Sequence, residues 1–351
     1  MAGLKGFSGV WTAIITPFDT EGRVDWQGLE RNINFQIASG VSGILAVGTT
    51  GESPTLAWSE HTKIITFMAS LVRDRCGIMA GTGSNSTTEA TAATKIAQKR
   101  GIRTVLLVDC YYNCPSSLEL RKEYYGYIAN AFPEMDIIPY IIPGRTVTAL
   151  SPEDLAILTA EYPNIRAVKE ASGDLERMIK TRQLVGSEFD ILSGDDDLTY
   201  EMIARPGIAA SGAISVMANV VPGAIIEMVQ KMLAGNIKRG EELYKILAPL
   251  FEIVTVRVEG KRNISGKTFV VVDKFRNPVP VKTLMNGLGM SAGSTRRPLG
   301  KMNAAAVEVV RQRARAIWEK NPEILRPIEA AYGVDINERL KRNDCWETQA
   351  Y

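Results

Sequence analysis

Short apolar segments alternate with longer segments of helical spacing over the first two-thirds of the chain. Eight of the short segments predict β-strands, because glycine, proline or polar residues bound them and branched apolar residues fill them. These segments are VWTAIITPF (10–18), GILAVG (43–48), GIMAGTG (77–83), TVLLVDCYY (104–112), DIIPYIIP (136–143), IRAVKEA (165–171), DILSGDD (190–196) and GIAASGAISV (207–216). Between them, DWQGLERNINFQIASG, STTEATAATKIAQKRG and SPEDLAILTAEYP carry the spacing and start signals of helices.

Eight strands with intervening helices, at roughly 25–35 residues per unit, match the count of a (β/α)8 barrel. A doubly wound sheet also alternates strand and helix, but it usually carries a Gly-x-Gly-x-x-Gly turn after its first strand. Here that position has TPFDTEG. We therefore predict an α/β fold, a (β/α)8 TIM barrel over residues 1–220.

The alternation stops beyond residue 220, where the pattern becomes helical. PGAIIEMVQKMLAG, IKRGEELYKILAPLFEIV and NAAAVEVVRQRARAIWEK each predict a helix. The region 221–351 is therefore predicted to be a C-terminal helical appendage. It contains a polar, β-prone insertion at 256–277 and an extra tail at 318–351, in which Pro322, Pro327 and Gly333 break the helical pattern.

The charge is nearly balanced, with 41 basic and 39 acidic residues and a net charge of +2. This balance gives no reason to expect nucleic acid or a membrane surface as a partner. No apolar run approaches the roughly 20 residues that span a bilayer. The N-terminal MAGLKGFSGVWTAIITPF lacks the basic, apolar and small-residue zones of a signal peptide, so we expect a cytoplasmic protein.

Cysteine and histidine are too sparse to form a disulfide framework or a zinc site. Cys110 and Cys114 have a zinc-like spacing, but no second Cys/His pair completes four ligands, so free thiols are expected. His61 is the only histidine and lies in a predicted helix, where we expect a surface or interface position. Acid–base chemistry must then come from Tyr, Lys, Asp or Glu. The aspartates of SGDDD (193–197) predict a helix N-cap with an acidic first turn.

The ends of the predicted strands carry the candidate chemistry, because a barrel of this kind has its active site at those ends. Lys169 ends the sixth strand, and burial would disfavour its charge and leave a neutral amine that can attack a ketone. Tyr140, on the fifth strand, is the natural proton relay, and Thr49 with a second tyrosine can extend it. The GTTGE turn (48–52) offers N–H groups and hydroxyls to a carboxylate. Taken singly, each feature also fits a structural role: a solvated lysine, packed tyrosines, a helix-start loop.

A set of motifs in a fixed order resembles one known family. The motifs are TPF (16–18), GTTGESPTL (48–56), AGTGSNSTTEA (80–90), YYNCPS (111–116), YIIPGRT (140–146), VKEASG (168–173), LSGDD (192–196), GAISVMANV (212–220) and NPVPVK (277–282). Over roughly residues 8–317 the chain is similar to the dihydrodipicolinate synthase/N-acetylneuraminate lyase family of pyruvate-dependent class I aldolases. Together the motifs are specific, although each alone is only a hypothesis.

The resemblance implies that Lys169 forms a Schiff base with pyruvate, without a metal or an organic cofactor. It implies that Tyr140 exchanges protons at the imine within a hydroxyl relay, and that Thr50 holds the pyruvate carboxylate. The remaining implied roles are a relay position for Thr49 and for Tyr112, the latter reaching across a dimer interface, and backbone contacts from Gly194 and Ile214. A homodimer or homotetramer is the expected assembly. A possible effector site has the residues His61, Asn85, Glu89 and Tyr111.

Arg145 matches the arginine that, in the synthase branch of the family, holds the carboxylate of aspartate semialdehyde, as a planar guanidinium clamp would. Condensation of pyruvate with aspartate semialdehyde is therefore the predicted reaction. Ile141, Val147, Asp109 and Cys110 depart from the usual synthase pattern. An aldolase, dehydratase or deaminase of sugar-acid, N-acetylneuraminate or hydroxyproline breakdown is the first alternative, and a ligand-binding module without catalysis is the second.

Overall fold

A closed barrel of eight parallel strands forms the centre of the computed structural model, which describes residues 6–351. The strands are β1 (Gly9–Ala13), β2 (Gly43–Ala46), β3 (Gly77–Gly81), β4 (Thr104–Val108), β5 (Asp136–Ile141), β6 (Ala167–Glu170), β7 (Asp190–Ser193) and β8 (Gly212–Ser215). Each strand pairs with the next in sequence, and β8 pairs with β1. The predicted (β/α)8 fold is confirmed, and each strand lies within or beside its predicted segment. Residues 1–5 of the predicted 1–220 unit lie outside the described residues.

Helices fill the connections between the strands and cover the outside of the barrel. They are α1 (Trp26–Ser39), α2 (Trp58–Val72), α3 (Thr87–Lys99), α4 (Ser117–Glu119), α5 (Gly126–Ala131), α6 (Pro143–Thr146), α7 (Pro152–Glu161), α8 (Leu175–Val185) and α9 (Thr199–Ala204). A π-helical stretch, Leu120–Tyr125, joins α4 to α5. Three of these helices, α1, α3 and α7, begin at polar caps: the Asp25, Ser86 and Ser151 side chains accept hydrogen bonds from backbone N–H groups of the first turn.

The interior of the barrel is filled by side chains that point inward from the strands, as in a packed core rather than a pore. Trp11 occupies much of this space near the N-terminal ends of β2 and β3. A Cβ atom on Gly43 or Gly77 would lie 2.3 Å or 2.5 Å from the Trp11 ring, so both positions require glycine. Near the C-terminal ends of the strands, Leu106, Tyr140 and Ile214 belong to the same cluster.

The C-terminal region packs its own core against one side of the barrel. Its helices are α10 (Pro222–Leu233), α11 (Ile237–Phe251), α12 (Val279–Leu288), α13 (Ala304–Lys320), α14 (Arg326–Tyr332), α15 (Ile336–Lys341) and α16 (Asp344–Glu347). The tail 318–351 takes part in this core. Trp346 is 1% exposed and lies against Gly287 of α12, and the Tyr332 hydroxyl donates a hydrogen bond of 2.7 Å to Asn32 of α1.

The β-prone insertion folds as a two-stranded antiparallel β-hairpin, β9 (Thr255–Ile264) and β10 (Lys267–Arg276). Ser265 and Gly266 form the turn, and both have positive φ, as the tight turns of hairpins require. Val256, Val258 and Phe275 near the base pack against the C-terminal helices. The outer part of the hairpin is exposed.

No helix among residues 6–351 has both the length and the apolar composition needed to cross a bilayer.

Candidate active site

Lys169 and Tyr140 lie side by side at the C-terminal end of the barrel because they are register partners on β6 and β5. The lysine is only 4% exposed, and its Nζ lies 4.2 Å from the centroid of the Tyr140 ring. Among residues 6–351 the amine has neither a hydrogen-bond partner nor an ion-pair partner. The aliphatic stem is therefore packed, while the amine faces an open cavity that it helps to line.

Burial lowers the pKa of the Lys169 amine and raises the pKa of the Tyr140 phenol, because in both groups it disfavours the charged form. Desolvation lowers the pKa of Lys169 to about 8, although the nearby charges of Asp195 and Asp196 favour the protonated amine. Desolvation raises the pKa of Tyr140 to about 12, against the influence of Arg145 and of a hydrogen bond with Thr49. At neutral pH a useful fraction of the amine is therefore neutral, while the phenol holds its proton.

The cavity above Lys169 has a volume of about 240 Å³. Its wall contains five of the residues that the sequence assigned to the site beside Lys169: Thr49, Thr50, Tyr140, Arg145 and Gly194. Gly194 has to be glycine, since a Cβ there would lie 3.0 Å from Cε of Lys169 and 2.7 Å from Cβ of Ala171. Ile214 is fully buried in the barrel interior, and Val216, two residues further along the chain, lines the cavity. The backbone contact implied for Ile214 stays a prediction.

Asn277, at the base of the β-hairpin, connects three parts of this wall. Its side-chain amide donates to the Thr50 hydroxyl at 2.9 Å, and its backbone carbonyl accepts from Nη2 of Arg145 at 2.9 Å. Its side-chain oxygen is buried without a hydrogen-bond partner among the described residues, so it is available to a polar group. The sequence analysis did not assign Asn277 to the site, although Asn277 is the first residue of the NPVPVK motif (277–282).

A buried ion pair between Glu52 and Lys282 holds the loop that carries Thr49 and Thr50. Glu52, in the left-handed conformation with φ of 59°, accepts from Nζ of Lys282 on α12 at 2.8 Å. The same Nζ donates to the carbonyls of Thr16 (3.0 Å) and Ser294 (2.9 Å), and the Arg296 N–H donates to the second oxygen of Glu52 at 2.9 Å. The C-terminal region thus positions a loop of the barrel mouth.

A second cavity, of about 200 Å³, shares Thr49, Tyr140 and Arg145 with the first and extends to Tyr111. The predicted relay partner Tyr112 does not join them within this chain. Its side chain is 85% exposed, and its backbone has a positive φ of 77°.

The aspartates of SGDDD do not cap their own helix, so that prediction was wrong. The following helix, α9, begins at Thr199 without a side-chain cap. The Asp196 carboxylate instead accepts from the Ser215 hydroxyl and from the N–H groups of Val216 (3.0 Å) and Met217 (2.9 Å), which fixes the segment after β8. Asp195 lines the cavity beside Lys169, and burial raises its pKa to about 7.

The predicted effector residues gather around a third cavity, of about 120 Å³. His61, Glu89 and Tyr111 line it together with Trp58, and the side-chain oxygen of Asn85 accepts from the Tyr111 N–H at 2.8 Å. The surface or interface position expected for His61 was wrong, because the residue is 2% exposed within the single chain and lies beside the Trp58 ring. This burial lowers its pKa to about 4.

The two closely spaced cysteines differ in environment. Cys110 is buried, and Cys114 is exposed. Among residues 6–351 no three His, Cys, Asp or Glu side chains are placed to hold a metal ion together.

Comparison with known sequences places this geometry in context. The sequence model of the Dihydrodipicolinate synthetase family matches residues 6–317. The chain is 40% identical over 297 residues to the 4-hydroxy-tetrahydrodipicolinate synthase of Methanocaldococcus jannaschii, covering 85% of this chain and 94% of that protein. It is 42% identical over 295 residues to the enzyme of the same name from Methanococcus aeolicus, covering 84% and 93%.

Solved structures agree with this match. The structure of the 4-hydroxy-tetrahydrodipicolinate synthase from the thermoacidophilic methanotroph Methylacidiphilum fumariolicum SolV superposes with a TM-score of 0.81 at 34% identity. It covers 92% of this chain and 99% of that one. The tail beyond residue 317 lies outside the family match.

Proposed function

The chain belongs to the Dihydrodipicolinate synthetase family, and on that premise we propose that it is a 4-hydroxy-tetrahydrodipicolinate synthase that condenses pyruvate with aspartate semialdehyde. The observation that carries the proposal is the buried amine of Lys169, which faces a cavity beside Tyr140 and has no competing partner among the described residues. Relatives that carry the name 4-hydroxy-tetrahydrodipicolinate synthase, about 40% identical over most of this chain, support the same reaction.

The first step is formation of an imine. The neutral Nζ of Lys169 attacks the ketone carbon of pyruvate, and the resulting carbinolamine loses water to give an iminium ion. The pKa of about 8 supports this role, because an ordinary lysine is almost fully protonated near neutral pH. The iminium withdraws electrons from the adjacent methyl carbon, which then loses a proton to give an enamine.

Tyr140 supplies and removes the protons of these steps. Its phenol lies beside the amine and keeps its proton at neutral pH, so it can protonate the leaving hydroxyl of the carbinolamine. Thr49 extends the relay from Tyr140. A second copy of the chain supplies Tyr112, whose exposure in the single chain supports such an arrangement, and the protein works as a homodimer or homotetramer.

Two polar groups orient the substrates. The Thr50 hydroxyl, held by the amide of Asn277, binds the carboxylate of pyruvate. Arg145 binds the carboxylate of aspartate semialdehyde, and its hydrogen bond to the Asn277 carbonyl holds the guanidinium in the wall of the cavity. The enamine carbon attacks the aldehyde, and the amino group of the new chain then displaces Lys169 to close the ring.

The cavity lined by His61, Glu89 and Tyr111 is the effector site in this proposal. It shares Tyr111 with the cavity that reaches Tyr140, so a bound effector would alter the surroundings of the proton relay. The cytoplasmic location expected from the sequence stays a prediction.

Trapping the imine tests the proposal. The protein is incubated with pyruvate, reduced with borohydride and mapped by peptide mass spectrometry, and we expect the adduct on Lys169 alone. A Lys169→Met variant serves as the matched control and should give none. An unmodified wild-type Lys169 would contradict the imine mechanism.

A panel of acceptors then tests the second substrate. Pyruvate consumption is followed with aspartate semialdehyde and with neutral aldehydes, and cleavage of N-acetylneuraminate and keto sugar acids is followed in parallel. Turnover with aspartate semialdehyde is expected. Turnover of a sugar acid in its absence would assign the chain to another reaction of the family.

A further inference from the structure

The base of the β-hairpin presents one face to the barrel mouth. In an antiparallel pair, register partners and every second residue share a face. Lys274 is the partner of Arg257, and Arg276 is the partner of Thr255, so these four side chains belong to one face. Thr255, Lys274 and Arg276 line the cavity that holds Lys169. The opposite face carries Val256, Val258 and Phe275, which pack on the C-terminal helices.

Two hydrogen bonds fix Arg276 beside Arg145. Arg276 donates through Nη1 to the carbonyl of Gly144 at 2.9 Å, and Arg145 donates through Nη2 to the carbonyl of Asn277 at 2.9 Å. Each arginine is therefore held by the backbone next to the other. Two like charges held close together repel each other unless an anion lies between them or beside them.

Positive charge exceeds negative charge in this cavity. Among the described residues its wall contains Arg145, Lys169, Lys274 and Arg276, against the single carboxylate of Asp195. Within residues 6–351 neither Lys274 nor Arg276 forms an ion pair. Partial desolvation and the neighbouring charges of Arg276, Arg257 and Arg145 lower the pKa of Lys274, as expected for a cation among cations.

From this arrangement we propose that Lys274 and Arg276 of the β-hairpin form, with Arg145, an anion subsite that binds the acidic end of the acceptor substrate and selects acidic aldehydes over neutral ones. The inference rests on the proposed function, because the acceptor is the compound that the Lys169 enamine attacks. A cleft lined by one sign of charge also raises the local concentration of an oppositely charged substrate.

The test uses a double variant with a matched control. Lys274→Ala/Arg276→Ala removes the two charges, and Lys261→Ala removes one exposed charge from the same hairpin face. Lys261 pairs with Val270, four residues from Lys274, which places it roughly 13 Å farther out. Lys261 does not line the cavity. Thermal unfolding of all proteins checks that the hairpin base still packs.

The first readout is the KM for aspartate semialdehyde, for which we expect a rise of about tenfold or more in the double variant and less than about twofold in Lys261→Ala. At saturating pyruvate the adduct should still form on Lys169 in both variants, since neither residue makes a hydrogen bond or an ion pair with the amine. Arg276→Lys should recover part of the loss, because a lysine keeps the charge without the planar clamp.

The second readout does not need turnover. Succinate and the neutral succinamide are titrated by calorimetry into the wild type and each variant. Pyruvate is left out, so that Lys169 carries no adduct. In the wild type and in Lys261→Ala we expect succinate to bind at least about tenfold more tightly. In the double variant the ratio should fall about tenfold. An unchanged ratio, or an equal fall in Lys261→Ala, would overturn the subsite. A wild type without a Lys169 adduct would contradict the proposed function and leave this titration valid.

Discussion

Two lysines in this protein are buried to nearly the same degree, yet they meet very different surroundings. Lys169 at the barrel mouth is 4% exposed, and Lys282, where α12 meets the barrel, is 1% exposed. Each amine lies over an aromatic ring, 4.2 Å from the Tyr140 centroid in one case and 4.3 Å from the Phe18 centroid in the other. Burial lowers the pKa of both to about 8.

The two lysines differ in their hydrogen bonds. Lys282 donates to the Glu52 carboxylate and to two backbone carbonyls, which uses all three N–H groups of its charged form. Lys169 has no such partner within residues 6–351 and faces a cavity instead. A lowered pKa therefore does not by itself identify a nucleophile. The amine must also be free to move to a substrate, and only Lys169 meets both conditions.

The largest effect is expected when each of the two lysines is replaced with methionine and the two variants are compared. Lys282→Met should destabilise the fold by about 3–5 kcal/mol, because it leaves the Glu52 carboxylate buried without its cation. The protein that remains folded should still form the pyruvate adduct. Lys169→Met should abolish the adduct and leave the free energy of unfolding unchanged or increased, since it replaces an unpartnered buried amine with an apolar side chain. Urea titration and adduct mapping measure the two properties separately.

The Glu52→Gln/Lys282→Met double variant serves as the control for this exchange. Removing both charges should cost less than the sum of the two single changes, since neither partner is left alone. Strict additivity would show that the pair is not coupled. Equal destabilisation by Lys169→Met and Lys282→Met would remove the distinction between the two amines.

A smaller effect is expected from the aromatic ring beside each amine. Tyr140→Phe keeps the ring over Lys169 and removes the hydroxyl, so the turnover rate should fall about 100-fold or more through loss of proton transfer. Stability should change little. Phe18 already lacks a hydroxyl, which is consistent with a purely packing role beside Lys282. If Tyr140→Phe turned over at the wild-type rate, the phenol would not be the relay.

The smallest effect concerns pH. With a pKa of about 8 for Lys169, the neutral fraction of the amine rises about tenfold between pH 7 and pH 9 and then levels off. The initial rate of adduct formation, measured in aliquots quenched into borohydride, should follow this curve. Lys282 should show no adduct at any pH in this range. A rate that keeps rising tenfold per pH unit beyond pH 9 would indicate an ordinary, solvated lysine.

The sequence predicted the barrel because each of its strands is a local signal: a short apolar segment with clear boundaries. Lys169 and Tyr140 could be predicted for a related reason, since the strand ends of a barrel converge at one mouth. The contacts that the sequence missed join distant segments. Glu52 and Lys282 are 230 residues apart, and Asn277 reaches Thr50 across 227 residues.

Two errors of the sequence analysis have the same origin. His61 was expected at a surface or interface position of its helix, but it is 2% exposed and lies beside residues from other segments of the chain. The aspartates of SGDDD were assigned to their own helix, but Asp196 fixes a segment that begins 19 residues later. In each case the helix pattern was correct and the decisive partner was nonlocal, which a local pattern does not contain.

The placement of the β-hairpin also bears on how such an enzyme can diversify. Its base adds two charged side chains to the wall of the site without altering any barrel strand, and its turn is far from the chemistry. Under the proposed anion subsite, mutations there change which acceptor is favoured while the imine-forming residues stay under separate selection. An insertion of this kind lets one scaffold explore new substrates without first losing its reaction.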